Sequence, residues 1–113
     1  MAASSNFGAA VYIELWVSLA SLLRSYTAAH GLNRNRQATV ELGEDRILVR
    51  HGEDWLDLRR DGATVNWQRE DGSNGTLELT AAGLLRDRTG TEEDVEMDIA
   101  AESWARNLMR ELP

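Results

Sequence analysis

From Phe7 to Leu23 the chain runs seventeen residues with Glu14 as its only charge, and no other stretch of comparable length is as apolar. A membrane-spanning helix needs about 20 apolar residues. Here Glu14 falls near the middle of a shorter run, and Ser18 and Ser21 follow it. A secretion signal carries basic residues ahead of its apolar core and a small-residue cleavage site behind it. No Lys or Arg precedes Arg24. The run is therefore expected to be the core helix of a soluble, cytoplasmic domain, spanning residues 6–30.

Ser4, Ser5 and Asn6 offer side-chain oxygens to the first turn of that helix. Gly31 suits a left-handed terminating position, with Leu32 folding back on the last turn. Val11, Leu15, Leu19, Leu22 and Tyr26 recur at three- and four-residue steps and form one face. Tyr12, Ile13, Trp16, Val17 and Ala20 widen the apolar surface well beyond it. One sheet covers only one side of a helix, so the flank at Tyr12, Trp16 and Ala20 is expected to pack against a second copy of the chain. A homodimer follows.

At Gln37 the period changes from helical to two. Val40 and Leu42 alternate with Thr39 and Glu41, and Gly43-Glu44-Asp45 interrupts them. Ile47 and Val49 carry a second strand, and Leu56 and Leu58 a third beyond Gly52-Glu53-Asp54. Asp61-Gly62 between alternating runs favours a primed hairpin turn. Val65 and Trp67 mark a fourth strand, and Leu77 and Leu79 a fifth. Strands at hairpin spacing make an antiparallel meander over residues 37–80. Leu84 and Leu85 tuck under the core as a loop or short strand. Beyond them, Val95, Met97 and Ile99 share one side of a strand, whereas Met97, Ala101, Trp104, Leu108 and Leu112 share one face of a helix. A sixth strand near 94–99 and a helix from about 100 to 112 are expected.

The expected fold is α+β. An antiparallel meander sheet of five or six strands carries an N-terminal and a C-terminal helix packed on one face. The 113 residues fit one domain. Helix–sheet–helix order with an acidic balance resembles frataxin-like proteins at the level of architecture. The strand motifs of that family are not in this sequence, and no iron site is carried over. Acidic secretion chaperones are similar in size and end helices, but the helix they keep between strands is absent.

Chemistry is sparse. With no Cys, disulfides, zinc-thiolate sites and thiol catalysis are excluded. All twelve basic residues are Arg, as expected of a GC-rich bacterial genome, and Lys chemistry is absent. His30 ends a helix, where the dipole favours a cation, and His51 closes a strand; neither has a recognisable Ser or Asp partner. Asp57 and Glu78 are candidates for paired-carboxylate catalysis. Glu92, Glu93, Asp94, Glu96 and Asp98 form an acidic run without the spacing of a calcium loop. No catalytic residue, metal ligand or cofactor is assigned. A net charge of −7 argues against nucleic acid, whose binding draws on an excess of Arg and Lys, and against an anionic membrane surface.

The sheet's two faces differ. One collects Val40, Leu42, Ile47, Val49, Leu56, Leu58, Val65, Trp67, Leu77 and Leu79, and must meet the helices. The other carries Glu41, Leu48, Arg50, Trp55, Asp57, Arg59, Asn66, Gln68 and Glu78. Leu48 and Trp55 are out of place on a solvated surface, and Trp beside Arg is the composition of interface anchors. Either the 81–91 segment covers Trp55 or a partner does. The expected function is a non-catalytic protein-binding module, of adaptor, chaperone or immunity type. Leu48, Arg50, Trp55, Asp57, Arg59, Asn66 and Gln68 would engage a protein or peptide with a basic or mixed surface. The alternatives are an acidic metal- or ligand-binding module and a small carboxylate-based enzyme.

Overall fold

The computed structural model describes residues 2–31, 37–87 and 94–109, with side chains from residue 10 onward and as far as 86 in the second segment. Helix α1 (Ala2–His30) is followed by strands β1 (Thr39–Leu42), β2 (Arg46–His51), β3 (Asp54–Asp61), β4 (Thr64–Arg69) and β5 (Asn74–Leu79). Strands β6 (Leu84–Asp87) and β7 (Val95–Glu96) and helix α2 (Met97–Leu108) complete it. The strands pair antiparallel with their chain neighbours, in the order β1 to β7, as one curled sheet. The α+β architecture is as expected, but the strands number seven.

The extra strand is at 84–87, where a loop or short strand was expected, and the 94–99 segment needs a separate correction. Leu84 and Leu85 belong to a strand, with Leu85 opposite Leu79 on β5 and opposite Val95 on β7. The expected strand over 94–99 shrinks to Val95–Glu96, and the helix begins at Met97 instead of Ala100. A helix from Met97 brings Met97, Ala101, Ala105 and Leu108 to the core at helical steps and leaves Ile99 exposed. A strand would have brought in Ile99 at the cost of Ala101. Leu112 lies outside the described residues.

Turns follow glycine. His51 pairs with Asp54 and Asp61 with Thr64 around two-residue loops. Gly52 and Gly62 stand first in those loops at φ 65° and 61°, the arrangement a type II′ turn requires. Gly75 is present for a different reason. It sits opposite Trp67, and a Cβ there would lie 2.5 Å from the indole Nε1.

The core joins Ile47, Val49, Leu56, Leu58, Val65, Leu79 and Leu85 of the sheet to Trp16, Leu19, Ala20 and Leu23 of α1 and to Met97, Ala101 and Leu108 of α2. Each large side chain buried there contributes roughly 1.5–3 kcal/mol. Val40, Trp67 and Leu77 are partly buried against this cluster, whereas Leu42 is exposed at the edge strand.

The buried face of α1 is turned from the expected one. Trp16, Leu19, Ala20, Leu23 and Thr27 form it, and Leu15, Leu22 and Tyr26 flank it. Trp16 is 1% and Ala20 0% exposed, so the flank assigned to a dimer contact is already covered within one chain. Of its three residues only Tyr12 keeps partial exposure. Arg60, at the end of β3, lies over the Trp16 ring at 5.9 Å and closes that side. The exposed apolar residues of α1 are Ile13 and Val17, 52% and 46% exposed, one turn apart.

The helix starts at Ala2 and not at residue 6. Ala2 and Ala3 are strong helix formers, and Ser4, Ser5 and Asn6 fall inside the helix. Gly31 does not adopt the left-handed conformation. Its N–H continues the helix ladder to Thr27 and Ala28, and its missing side chain makes room for Met109. Leu32 lies outside the described residues.

Helices α1 and α2 run alongside each other in the same direction. The Tyr26 hydroxyl donates to Asp98, and one turn further along both helices His30 Nε2 lies 3.1 Å from Glu102 Oε2. Among the described residues no helix is long and apolar enough to cross a membrane.

Candidate partner-binding face

Period-two alternation sends Ile47, Val49, Leu56 and Leu58 into the core and their neighbours to the far face. Pairing then aligns those neighbours in rows. Leu48 faces Asp57, which faces Gln68; Arg46 faces Arg59, which faces Asn66; Arg50 faces Trp55. All seven residues expected to bind a partner therefore lie on contiguous strands of one surface. Of the 81–91 segment, residues 81–87 do not cover Trp55, because β6 lies three strands away in the sheet; residues 88–91 lie outside the described residues.

A cavity of about 250 Å³ opens on this face, lined by Arg46, Leu48, Arg50, Gly52, Asp54, Trp55 and Asp57. Leu48 and Asp57 are buried, at 6% and 7% exposure, although both belong to the polar side of the alternation. Arg46 grips Asp57 through Nε–Oδ1 at 3.0 Å and Nη2–Oδ2 at 3.1 Å. Arg59 adds a bond from Nε to Oδ2 at 3.3 Å. The Asp57 bond, and then its charge, hold the Arg46 guanidinium above its ordinary pKa, with a further contribution from Glu41. The side chain of Arg50 is exposed and has no hydrogen bond or ion pair among the described residues.

Trp55 is held by two side chains acting as backbone. Register between β3 and β4 ends at Leu56 and Arg69, so the outward N–H and C=O of Trp55 have no strand beside them. Glu70 Oε1 accepts the Trp55 N–H at 3.0 Å, and Arg69 Nε donates to the Trp55 carbonyl at 3.2 Å. Arg69 and Glu70 also pair with each other at 3.1 Å. Burial pushes the Glu70 carboxyl up, but the Trp55 N–H and Arg69 outweigh it and hold the group below its ordinary value. The result fixes the strand end that carries the indole.

Other candidate groups are dispersed. Asp57 and Glu78 lie two strands apart and four residues out of register, on the order of 15 Å from strand geometry, too far to share one reacting atom. His51 stands at the β2–β3 hairpin opposite Asp54, and His30 is committed to Glu102. In the acidic run, Asp94 pairs with Arg86 at 2.9 Å, which lowers its pKa, and Asp98 accepts from Tyr26. Glu92 and Glu93 lie outside the described residues. Among the described residues no three His, Asp or Glu side chains are grouped to hold a metal. Asn66 accepts from Thr76 at 2.7 Å and is tied to β5, whereas Gln68 is exposed beside the Asp57 row.

Arg46 and the Arg69–Glu70 clamp were missing from the expected site. Arg46 shares the alternation of Leu48 and Arg50, a signal present in the sequence but obscured by the adjoining turn. The clamp has none, since side chains that bond to a strand end show no periodicity.

No family model, curated protein or solved structure matches the chain.

Proposed function

We propose that the chain is a non-catalytic protein-binding module that engages its partner through the far face of the sheet. The observation that carries this reading is the cavity whose floor is Leu48 and whose walls include Trp55, Arg50 and the Arg46–Asp57 pair. At about 250 Å³ it is smaller than the roughly 300–1,000 Å³ of small-molecule sites and matches one or two side chains of a partner. Asp57 has both oxygens committed to guanidinium groups, which leaves it unsuited to proton transfer. Trp and Arg around a buried apolar floor are the usual anchors of protein interfaces. The charge of −7 over the whole chain and the Arg residues on this face suit a partner of mixed surface.

Replacing Trp55, Arg50 and Arg59 together by Ala and comparing the proteins captured with those of the wild type tests the reading. Loss of a reproducible partner, with thermal stability retained, is expected. If every partner is kept, the far face is not the docking surface.

A homodimer remains part of the proposal, with its surface moved. Ile13 and Val17, four residues apart on one strip of α1, are exposed apolar side chains. Sedimentation at several concentrations decides it: a monomer at all of them removes the dimer.

A further inference from the structure

We propose that the occupant of the far-face cavity is a carboxylate-bearing segment of a partner protein, with an acidic residue two positions from an apolar one. The carboxylate pairs with Arg50 and the apolar side chain covers Leu48 and Trp55. This rests on the reading of the cavity as the docking site.

The charges of the cavity select the ligand. Arg46 and Arg59 both spend their guanidinium groups on Asp57. Both oxygens of the buried carboxylate are thus engaged, Oδ1 by one bond and Oδ2 by two. Arg50 is different: it lines the same cavity, is exposed, and has no ion partner among the described residues. Asp54 also lines the cavity, at its hairpin end, opposite His51. Taken together, Arg46, Arg50 and Arg59 balance Asp54, Asp57 and Glu41, so this part of the surface is neutral in an acidic protein and repels an anion less than the rest does.

Guanidinium recognises carboxylate through paired N–H donors, a geometry an ammonium cannot supply. Here the pairing lies beside an indole held by the Arg69–Glu70 clamp, whose fixed position lowers the ordering cost of binding. Apolar floor and cation stand side by side, because Leu48 and Arg50 are successive residues on one face of β2. An extended partner segment would present an acidic and an apolar side chain at the same spacing.

The test uses the full chain, isotope-labelled, and three acetylated tetrapeptide amides: Leu-Gly-Glu-Gly, whose Leu and Glu share one face when extended, and its counterparts with Gln or Lys in place of Glu. The Glu peptide is expected to shift the Trp55 indole N–H and the Arg50 Nε–H resonances. Its Kd should be about tenfold lower than that of the Gln peptide, and the Lys peptide should be weaker still. Arg50→Gln, at a solvent-exposed position, should keep the melting temperature and abolish the preference for Glu. Equal or tighter binding of the Gln or Lys peptide overturns the carboxylate assignment while leaving the docking site standing. So does inorganic phosphate that binds the same resonances more tightly than the Glu peptide. If no peptide shifts any cavity resonance, the assignment and the docking reading both fall.

Discussion

Arg46 and Asp57, on neighbouring strands but not directly opposite, meet in a two-pronged pair, Nε to Oδ1 at 3.0 Å and Nη2 to Oδ2 at 3.1 Å. Asp57 itself stands across from Leu48, while Arg46 stands across from Arg59, which also bonds to Asp57. One carboxylate thereby holds two guanidinium groups that would otherwise repel each other across the β2–β3 ladder.

Asp57→Asn should lower the melting temperature, because the charge that reconciles Arg46 with Arg59 is gone. Added salt should restore part of the loss, since chloride screens the two exposed guanidinium groups. Thermal unfolding at low and high ionic strength reads this directly. A loss independent of salt would assign the effect to packing around Leu48 instead.

Acid should loosen the Trp55 clamp. The folded-state pKa of Glu70 lies below its ordinary value, so its contribution to stability is fully present above the unfolded value of about 4.3. It is lost as pH falls through the lower folded value. Glu70→Gln should cost stability at neutral pH and show a flatter decline on acidification. Melting curves of both proteins across the acid range, with the Trp55 amide resonance as local reporter, provide the comparison.

Adjacent residues of α1 should behave oppositely. Trp16→Ala removes a side chain 1% exposed and should cost about 3–5 kcal/mol, a large share of the roughly 5–15 kcal/mol typical of a domain. Val17→Ser changes a residue nearly half exposed and, measured on the monomer at low concentration, should stay within about 0.5 kcal/mol. Chemical denaturation of the two variants measures the contrast; similar costs would mean that α1 is rotated from the position described.

Gly75→Ala places a methyl group 2.5 Å from Trp67 Nε1, so the indole must move. A destabilisation of about 1–3 kcal/mol is expected, in the range of overpacked cores. The near-ultraviolet circular dichroism of Trp67 should change with it. An unchanged spectrum and melting point would show that the β4–β5 pair yields without cost.

The meander was legible in the sequence because its strands alternate cleanly: Ile47, Val49, Leu56 and Leu58 against Arg46, Leu48, Asp57 and Arg59. The same alternation made Leu48 and Trp55 conspicuous on the polar side. Ambiguity arose where one residue set satisfied two periods. Met97 belongs to both readings of the 94–101 segment, and only burial of Ala101 against Ile99 separates them. For α1 the apolar surface was wider than any single contact. Which flank stayed open depended on α2 and Arg60, both distant in sequence, so the choice of Trp16 and Ala20 as a free surface had no local means of correction.

The rungs Tyr26–Asp98 and His30–Glu102 each join residues 72 positions apart, tying the first helix to the last. During synthesis, α1 leaves the ribosome long before α2 exists to cover it. Trp16, Leu19 and Leu23 must wait, exposed or held by a chaperone, through the emergence of seven strands. Contacts of such sequence separation also slow folding. Ribosome-bound chains of increasing length should therefore resist protease only once residue 109 has cleared the exit tunnel; protection of chains that stop at β5 would mean that the sheet secures α1 unaided.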